Sequence, residues 1–160
     1  MTDMQNNKPM RSIERSIPIA LLRAREAVMA HFRPLLADRG YTEQQWRVLR
    51  ILNEYGALEV TQLAEHSALL MPSLTRILKT LEEKQSIYRI RDECDGRRSL
   101  IHLSENSKTL IKQEAARTEA AYAVIEASFG AAKTNQLLDL LTELAAVAPP
   151  LENKKTPTDY

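Results

Sequence analysis

The sequence predicts a mainly α-helical fold with one small β-hairpin. Apolar residues recur at helical spacing in six segments, whereas two short segments near the middle are rich in strand formers. The 160 residues include only 4 Gly and 7 Pro, which argues against a linker-dominated or disordered chain. With 44% hydrophobic residues, the chain is predicted to form one ordinary domain, or one domain with an oligomerisation arm.

Turn and cap residues divide the helical part of the sequence. Thr42 and Gln45 have the spacing of a capping box, in which each side chain bonds the other residue's backbone amide. Gly40 precedes this cap and Gly130 separates two further periodic segments, so both are predicted helix ends. The periodicity within these limits predicts helices over 17–37, 43–55, 60–66, 71–84, 105–129 and 131–147.

The middle of the sequence changes its period. Ser86–Arg91 and Ser99–Leu103 are rich in strand formers, and the charged segment D-E-C-D-G-R-R lies between them. A hairpin with a charged tip is therefore predicted. Because it follows two short helices that a tight turn joins, the region 41–104 is predicted to be a winged helix-turn-helix.

Composition and motifs exclude several classes of protein. The single cysteine, Cys94, excludes a disulfide framework and favours a reducing compartment, for which the cytoplasm is the default. No segment approaches the roughly 20 apolar residues that cross a bilayer, so no membrane partner is expected. His31, His66 and His102 share no ligand spacing with one another or with Cys94, so neither a metal nor another cofactor is expected. Without a phosphate-binding loop or a nucleophile elbow, no catalytic residue is assigned and an enzyme is not expected.

Positive charge is in excess in the N-terminal arm, where residues 1–50 hold nine basic and five acidic side chains, and in the segment 71–104. The net charge is only +1, but residues 71–104 hold seven basic and five acidic side chains. The apolar stripe predicted for 71–84 leaves a polar face with groups that bond phosphate oxygens or base edges. The alternative is that any exposed helix face carries such groups. The predicted DNA-binding residues of this helix are Ser73, Thr75, Arg76 and Lys79, with Arg76 the first choice.

The tip of the predicted hairpin carries a second set of candidates. Asp95 precedes Arg97 by two residues, so the carboxylate can orient the base of the loop while the guanidinium projects into a narrow minor groove. Arg89, Arg91 and Arg98 are predicted to add phosphate contacts. The alternative is a solvated hairpin, because neighbouring acidic residues nearly neutralise these arginines.

Three segments together resemble the MarR family of bacterial transcription regulators. They are T-E-Q-Q-W-R-V-L-R-I-L at 42–52, L-T-R-I-L-K-T-L-E-E-K at 74–84 and D-G-R-R-S-L-I-H-L-S at 95–104, of which the last matches the family's wing signature. Residues 16–27 further resemble the subgroup that controls operons for the degradation of homoprotocatechuate, an aromatic acid. One departure is Gln85, which stands where family members usually have the glycine that ends the recognition helix.

The resemblance implies a homodimeric repressor that docks two winged helices on a palindromic operator in double-stranded DNA and releases it when a small aromatic acid binds. A wide apolar face on the last predicted helix supports the dimer independently, because some surface must bury it. The chain would then divide into an N-terminal arm and first helix (1–40), the winged helix-turn-helix (41–104), C-terminal dimerisation helices (105–148) and a disordered tail (149–160).

A carboxylate in a mostly apolar cleft needs a cation or several hydrogen-bond donors. Arg25 lies on the apolar stripe of the first helix and is the first predicted anchor, with an intramolecular pair to a glutamate as the alternative. Trp46 offers an aromatic wall, or is simply part of the core. Weaker candidates for ligand binding are Ser16, Arg23 and His31.

Other classes of function stay open. Cys94 lies at a predicted exposed turn and would serve a redox-responsive regulator, although its acidic neighbours disfavour the thiolate. A winged helix can also act solely as a protein–protein adaptor, and an enzyme would have to turn over the aromatic acid.

Overall fold

The structure is a computed structural model that describes residues 12–91 and 99–147. A 3-10 turn, Ile13–Arg15, comes first. None of the helices within these ranges is long and apolar enough to span a membrane. The predicted mainly α fold is confirmed, with every predicted helix end met to within one residue. The elements that follow the turn are α1 (Ile17–Asp38), α2 (Glu43–Tyr55), β1 (Leu58–Glu59), α3 (Val60–Ser67), α4 (Met71–Glu83), β2 (Ile87–Arg91), β3 (Ser99–Leu103), α5 (Glu105–Phe129) and α6 (Ala131–Val147).

The strands form an antiparallel sheet in the order β1-β3-β2. β2 and β3 make the predicted hairpin, with Ile87 opposite Leu103. β1 is not predicted by the sequence. It pairs Leu58 with Ile101 of β3, so a tertiary contact rather than a local pattern creates it.

The winged helix-turn-helix encloses its own hydrophobic core. Val48 and Leu49 of α2 and Ile101 of β3 are fully buried there. The predicted apolar stripe of α4 packs against them and leaves the opposite face of the helix to solvent. The buried residues of α4 are Leu74, Ile77, Leu78 and Leu81.

The start of α2 and the end of α4 are capped in different ways. The amide of Gln45 donates to Thr42 Oγ1 at 3.2 Å and the amide of Thr42 donates to Gln45 Oε1 at 3.1 Å, which confirms the capping box at the start of α2. After α4, Gln85 has a φ of 56°, in the left-handed region. The amide of Ser86 then donates to Leu81 O at 2.9 Å and closes a Schellman motif. Gln85 thus adopts a conformation that favours glycine.

The remaining helices, α1, α5 and α6, are called the arm, and they bury little of their apolar surface within this chain. Leu36 is the buried residue of α1, and no residue of α6, which the structure describes in full, is buried. A helix with such an open apolar face needs a surface to cover it. The exposed leucines of α6 are Leu137, Leu138, Leu140 and Leu144, at 38–56% exposure.

Candidate nucleic-acid interface and effector cavity

The solvent side of α4 carries the first set of predicted DNA-binding groups. Ser73, Arg76 and Lys79 are exposed, and within the described ranges neither cation pairs with a carboxylate. Thr75 Oγ1 donates to Met71 O at 2.9 Å, which leaves its oxygen free to accept a hydrogen bond. Cations and hydroxyls on one exposed helix face are the groups that bond phosphates and base edges in a major groove.

The hairpin of β2 and β3 with its connecting segment is called the wing, and its two described arginines differ in whether they pair with a carboxylate. Arg89 Nε donates to Glu82 of α4, so this predicted phosphate contact is held against the recognition helix. Arg91 is exposed at the end of β2, without a carboxylate partner in the part of the chain that the structure describes. DNA contact by these groups stays a prediction. Outside the described residues lie the candidates at the hairpin tip, Cys94, Asp95, Arg97 and Arg98.

A cavity of about 320 Å³, called the arm cavity, lies where the arm meets the winged helix-turn-helix. Phe32 of α1 and Tyr122 of α5 meet edge to face in its wall, with ring centroids 5.0 Å apart. Trp46 of α2 adds a third ring. The apolar lining is completed by Val28, Met29, Leu35 and Leu36.

Two arginines of α2 reach the arm cavity. Arg47 Nη1 donates to Ser67 O at 3.0 Å and is thereby held against α3. Arg50 is exposed and has no carboxylate partner among the described residues. A guanidinium that is available beside aromatic rings can bind the carboxylate of an aromatic acid in a bidentate geometry.

A buried carboxylate lines the same cavity from α5. Glu114 is 3% exposed and accepts hydrogen bonds from Arg39 Nε at 2.7 Å and from Arg117 Nη1 at 3.1 Å. Arg117 also donates to Asp38 at 2.6 Å. Because a buried carboxylate needs compensating charge, these contacts tie the end of α1 to α5.

A second cavity, of about 460 Å³, is lined by Arg25, Arg33 and Glu43 beside the start of α2. Arg25 donates to Glu26 at 2.8 Å and also to Glu43, and Arg33 donates to Glu43 at 2.5 Å. Partial burial raises the pKa of Glu43, but the hydrogen bonds from Arg33 and Arg25 outweigh it and lower the pKa below its ordinary value. Arg25 therefore pairs with glutamate, as the alternative interpretation of this residue predicts. Its role as a ligand anchor stays a prediction.

Comparison with known proteins identifies the family. The MarR family model matches residues 41–99. The chain is 38% identical to the HTH-type transcriptional regulator FarR of Neisseria gonorrhoeae, over 91% of this chain and 99% of FarR. It is 41% identical to the homoprotocatechuate degradative operon repressor of Escherichia coli, over 82% of this chain and 89% of that repressor. The chain belongs to the MarR family.

A solved structure of a relative has the same fold as this MarR protein. NadR in complex with 4-hydroxyphenylacetate superposes with a TM-score of 0.75 at 38% identity, covering 88% of this chain and all of the NadR chain. The predicted winged helix-turn-helix is confirmed, and so is the prediction of a transcription regulator.

The predicted ligand residues of this MarR protein lie in different places. Trp46 lines the arm cavity and also packs against the core, so its contribution to the core is confirmed and its role as a ligand-binding wall stays a prediction. Ser16 precedes α1 and lines a separate cavity at that end of the chain. Arg23 and His31 are exposed and line none of the three cavities described.

Except for Trp46, the residues that line the arm cavity in this MarR protein are not predicted as ligand candidates from the sequence, and Phe32, Arg50 and Tyr122 are among them. Arg50 follows Trp46 by four residues, a spacing that places two side chains on one helix face, so this signal is present in the sequence. Phe32 and Tyr122 meet through the packing of α1 against α5, which no local pattern encodes.

Proposed function

We propose that this MarR protein is a homodimeric repressor of an operon for the degradation of an aromatic acid of the homoprotocatechuate or 4-hydroxyphenylacetate type. It binds a palindromic operator and releases it when the carboxylate effector occupies the arm cavity. It acts in the cytoplasm, as a regulator and not as an enzyme. The observation that carries the proposal is the guanidinium of Arg50, free of carboxylate partners among the described residues, beside the aromatic wall of the arm cavity.

The size and chemistry of the arm cavity fit a single-ring acid. Its volume of about 320 Å³ lies at the low end of the range for ligand pockets. The ring would pack against Trp46, Phe32 and Tyr122 while the carboxylate accepts hydrogen bonds from Arg50. Glu43 also lines this cavity, and its lowered pKa keeps it ionised and able to accept a hydrogen bond from a phenolic hydroxyl. A hydroxylated ring is therefore favoured, which agrees with the ligand bound to NadR.

The open apolar face of α6 supports the homodimer, because a second copy can cover it by two-fold symmetry. Such symmetry places the operator half-sites about 34–36 Å apart. Operator affinity is expected to fall steeply with salt, since contacts to phosphates release counterions. The proposed contacts are Ser73, Thr75, Arg76 and Lys79 of α4 in the major groove, and Arg89, Arg91, Asp95, Arg97 and Arg98 of the wing.

Calorimetry with two matched ligands tests the effector site. 4-Hydroxyphenylacetate carries the carboxylate, and 4-hydroxyphenylethanol replaces it with a hydroxyl group. Arg50→Ala is expected to weaken binding of the acid by about 10- to 100-fold, the usual worth of a hydrogen bond to a charged group, and to change binding of the alcohol little. Arg25→Ala is the control, because it removes an equal charge outside the arm cavity. Since Arg25 donates to Glu43, the proposed acceptor of the phenolic hydroxyl, this variant is expected to change binding of both ligands by the same small factor and not to discriminate against the acid.

Two results would contradict this assignment. If Arg25→Ala rather than Arg50→Ala loses the acid, the anchor is Arg25. Equal affinities for both ligands in all three proteins would exclude a carboxylate site in the arm cavity. Fluorescence anisotropy of a labelled operator fragment then tests release, which is expected with the acid and not with the alcohol.

A further inference from the structure

The turn between α1 and α2 is fastened to the C-terminal end of α4. Lys84 Nζ donates to Gly40 O at 2.5 Å and lies 4.8 Å from the centre of the Tyr41 ring. The hydroxyls of Tyr41 and Ser86 are 2.8 Å apart and share a hydrogen bond. Tyr41, Lys84 and Ser86, called the Lys84 cluster, thus join two regions that are distant in sequence through a hydrogen bond to the backbone, a cation–π contact and a hydroxyl pair.

The same turn contacts the arm cavity on its other side. Arg39 immediately precedes Gly40 and donates to Glu114, the buried carboxylate that lines the cavity. The Tyr41 ring lies 6.0 Å, between centroids, from the ring of Trp46, which also lines the cavity. A ligand that moves either the ring of Trp46 or the carboxylate of Glu114 therefore acts on this turn directly.

At the other end, the Lys84 cluster reaches the junction of the recognition helix with the wing. Ser86 is 2% exposed, and its amide donates to Leu81 O at 2.9 Å to close the last turn of α4. Its carbonyl accepts from the amide of Ser104 at 3.0 Å, where α5 begins. A displacement of Ser86 is thus transmitted to α4, to β2 and to the start of α5.

We propose that Lys84 and Tyr41 are positioning residues for the operator response, because they make the end of α4 follow the α1–α2 turn when the arm cavity is filled. This inference rests on the proposed function. An effector lowers operator affinity only through a difference in its affinity for two arrangements of the protein. The Lys84 cluster makes the position of α4 one of the features in which the two arrangements differ. Without the cluster, the turn responds to the effector while α4 stays free to dock.

The test compares the operator Kd with and without saturating 4-hydroxyphenylacetate in the full-length protein. In the wild type, the acid is expected to raise this Kd by a factor on the order of ten to a hundred. In Lys84→Met the factor is expected to fall below about three, although the acid still binds by calorimetry. Lys84→Arg, which keeps the donor and the cation, is expected to restore most of the response.

Two further variants separate coupling from charge and from folding. Lys112→Met removes an exposed lysine of α5 for which the described part of the chain offers no hydrogen bond or ion pair, and it is expected to respond like the wild type. Tyr41→Phe keeps the ring beneath Lys84 but loses the bond to Ser86, and it is expected to give an intermediate factor. Because it conserves both charge and core packing, it serves as the test if Lys84→Met fails to fold.

The outcomes distinguish a failure of the positioning role from a failure of the proposed function. If the wild type responds to the acid and both Lys84→Met and Tyr41→Phe respond equally well, the positioning role is wrong and the proposed function stands. If the acid leaves the operator Kd of the wild type unchanged, the proposed function fails and the coupling role fails with it. A response that Lys84→Met loses, but that Lys84→Arg does not recover, would also overturn the role given to the Lys84 donor.

Discussion

Leucine side chains are buried in the winged helix-turn-helix but exposed in the arm. Leu49, Leu63 and Leu78 are fully buried by residues of their own chain. Leu138 and Leu140 of α6 are 56% and 55% exposed. One chain is therefore enough to stabilise the winged helix-turn-helix, whereas the arm needs a second surface. The stability of the arm is expected to depend on protein concentration for that reason.

This difference also indicates where regulation acts. A close-packed core is hard to deform, so the winged helix-turn-helix is expected to move as a unit. In the proposed dimer, the arm sets the distance between two such units. An effector in the arm cavity needs only to change how the arm holds each unit, which is a rigid-body movement and not a rearrangement of either core.

The largest expected effect comes from breaking the open face of the arm. In the proposed dimer, Leu140→Glu removes about 2 kcal/mol of apolar burial from each of two symmetric copies and places two carboxylates in the interface. The dimer is expected to lose at least about 4 kcal/mol, so its dissociation constant rises about 1,000-fold. Sedimentation equilibrium over a range of protein concentrations measures this change.

The control for Leu140→Glu is Leu70→Glu. Leu70 is 60% exposed just before α4, so it carries the same substitution outside the arm and is expected to leave the dissociation constant unchanged. If both variants raise the dissociation constant equally, or if neither changes it, α6 is not the surface that holds the dimer together.

The second-largest expected effect comes from creating a cavity in the core of the winged helix-turn-helix. Leu78→Ala leaves a cavity where a fully buried side chain was, and about 3 kcal/mol of unfolding free energy is expected to be lost. Urea unfolding at two protein concentrations tenfold apart measures the loss, which should be the same at both because one chain builds this core. Leu70→Ala is expected to cost less than about 0.5 kcal/mol. A cost for Leu78→Ala that varied with protein concentration would mean that the core depends on the partner as well.

Local signals explain which parts of the fold the sequence predicts. The α5 helix ends and the α6 helix begins at the predicted residues because Gly130 lies between them, with a φ of 100°. The capping box of Thr42 and Gln45 is also local, since its two residues are three positions apart. The strand β1 is not predictable in this way, because its two residues become a strand only by pairing with β3.

In the candidate site, too, features set by local sequence are predictable and features set by tertiary contacts are not. The exposed face of α4 follows from its apolar stripe, so Arg76 and Lys79 are placed correctly on it by periodicity alone. Of the two glutamates that pair with Arg25, Glu26 is its neighbour in the sequence, whereas Glu43 is not predictable because it belongs to another helix and approaches only once α1 packs beside α2. Which cation is available to a ligand therefore depends on tertiary ion pairing, and the sequence favours Arg25 over Arg50 for lack of that information.

The smallest effect sharpens the comparison within the winged helix-turn-helix. A left-handed conformation costs a residue with a Cβ about 1–2 kcal/mol. Replacing that residue by glycine removes this cost, but about 0.5–1 kcal/mol of the gain is lost because glycine makes the unfolded chain more flexible. Gln85→Gly is therefore expected to stabilise the protein by about 0.5–1 kcal/mol in urea unfolding, without changing dimer dissociation. Ala68→Gly, at a φ of 51°, is expected to gain similarly, and Gln85→Ala, which keeps the Cβ, to gain nothing. If Gln85→Ala proved as stable as Gln85→Gly, the glutamine side chain and not its backbone angle would be the source of the cost.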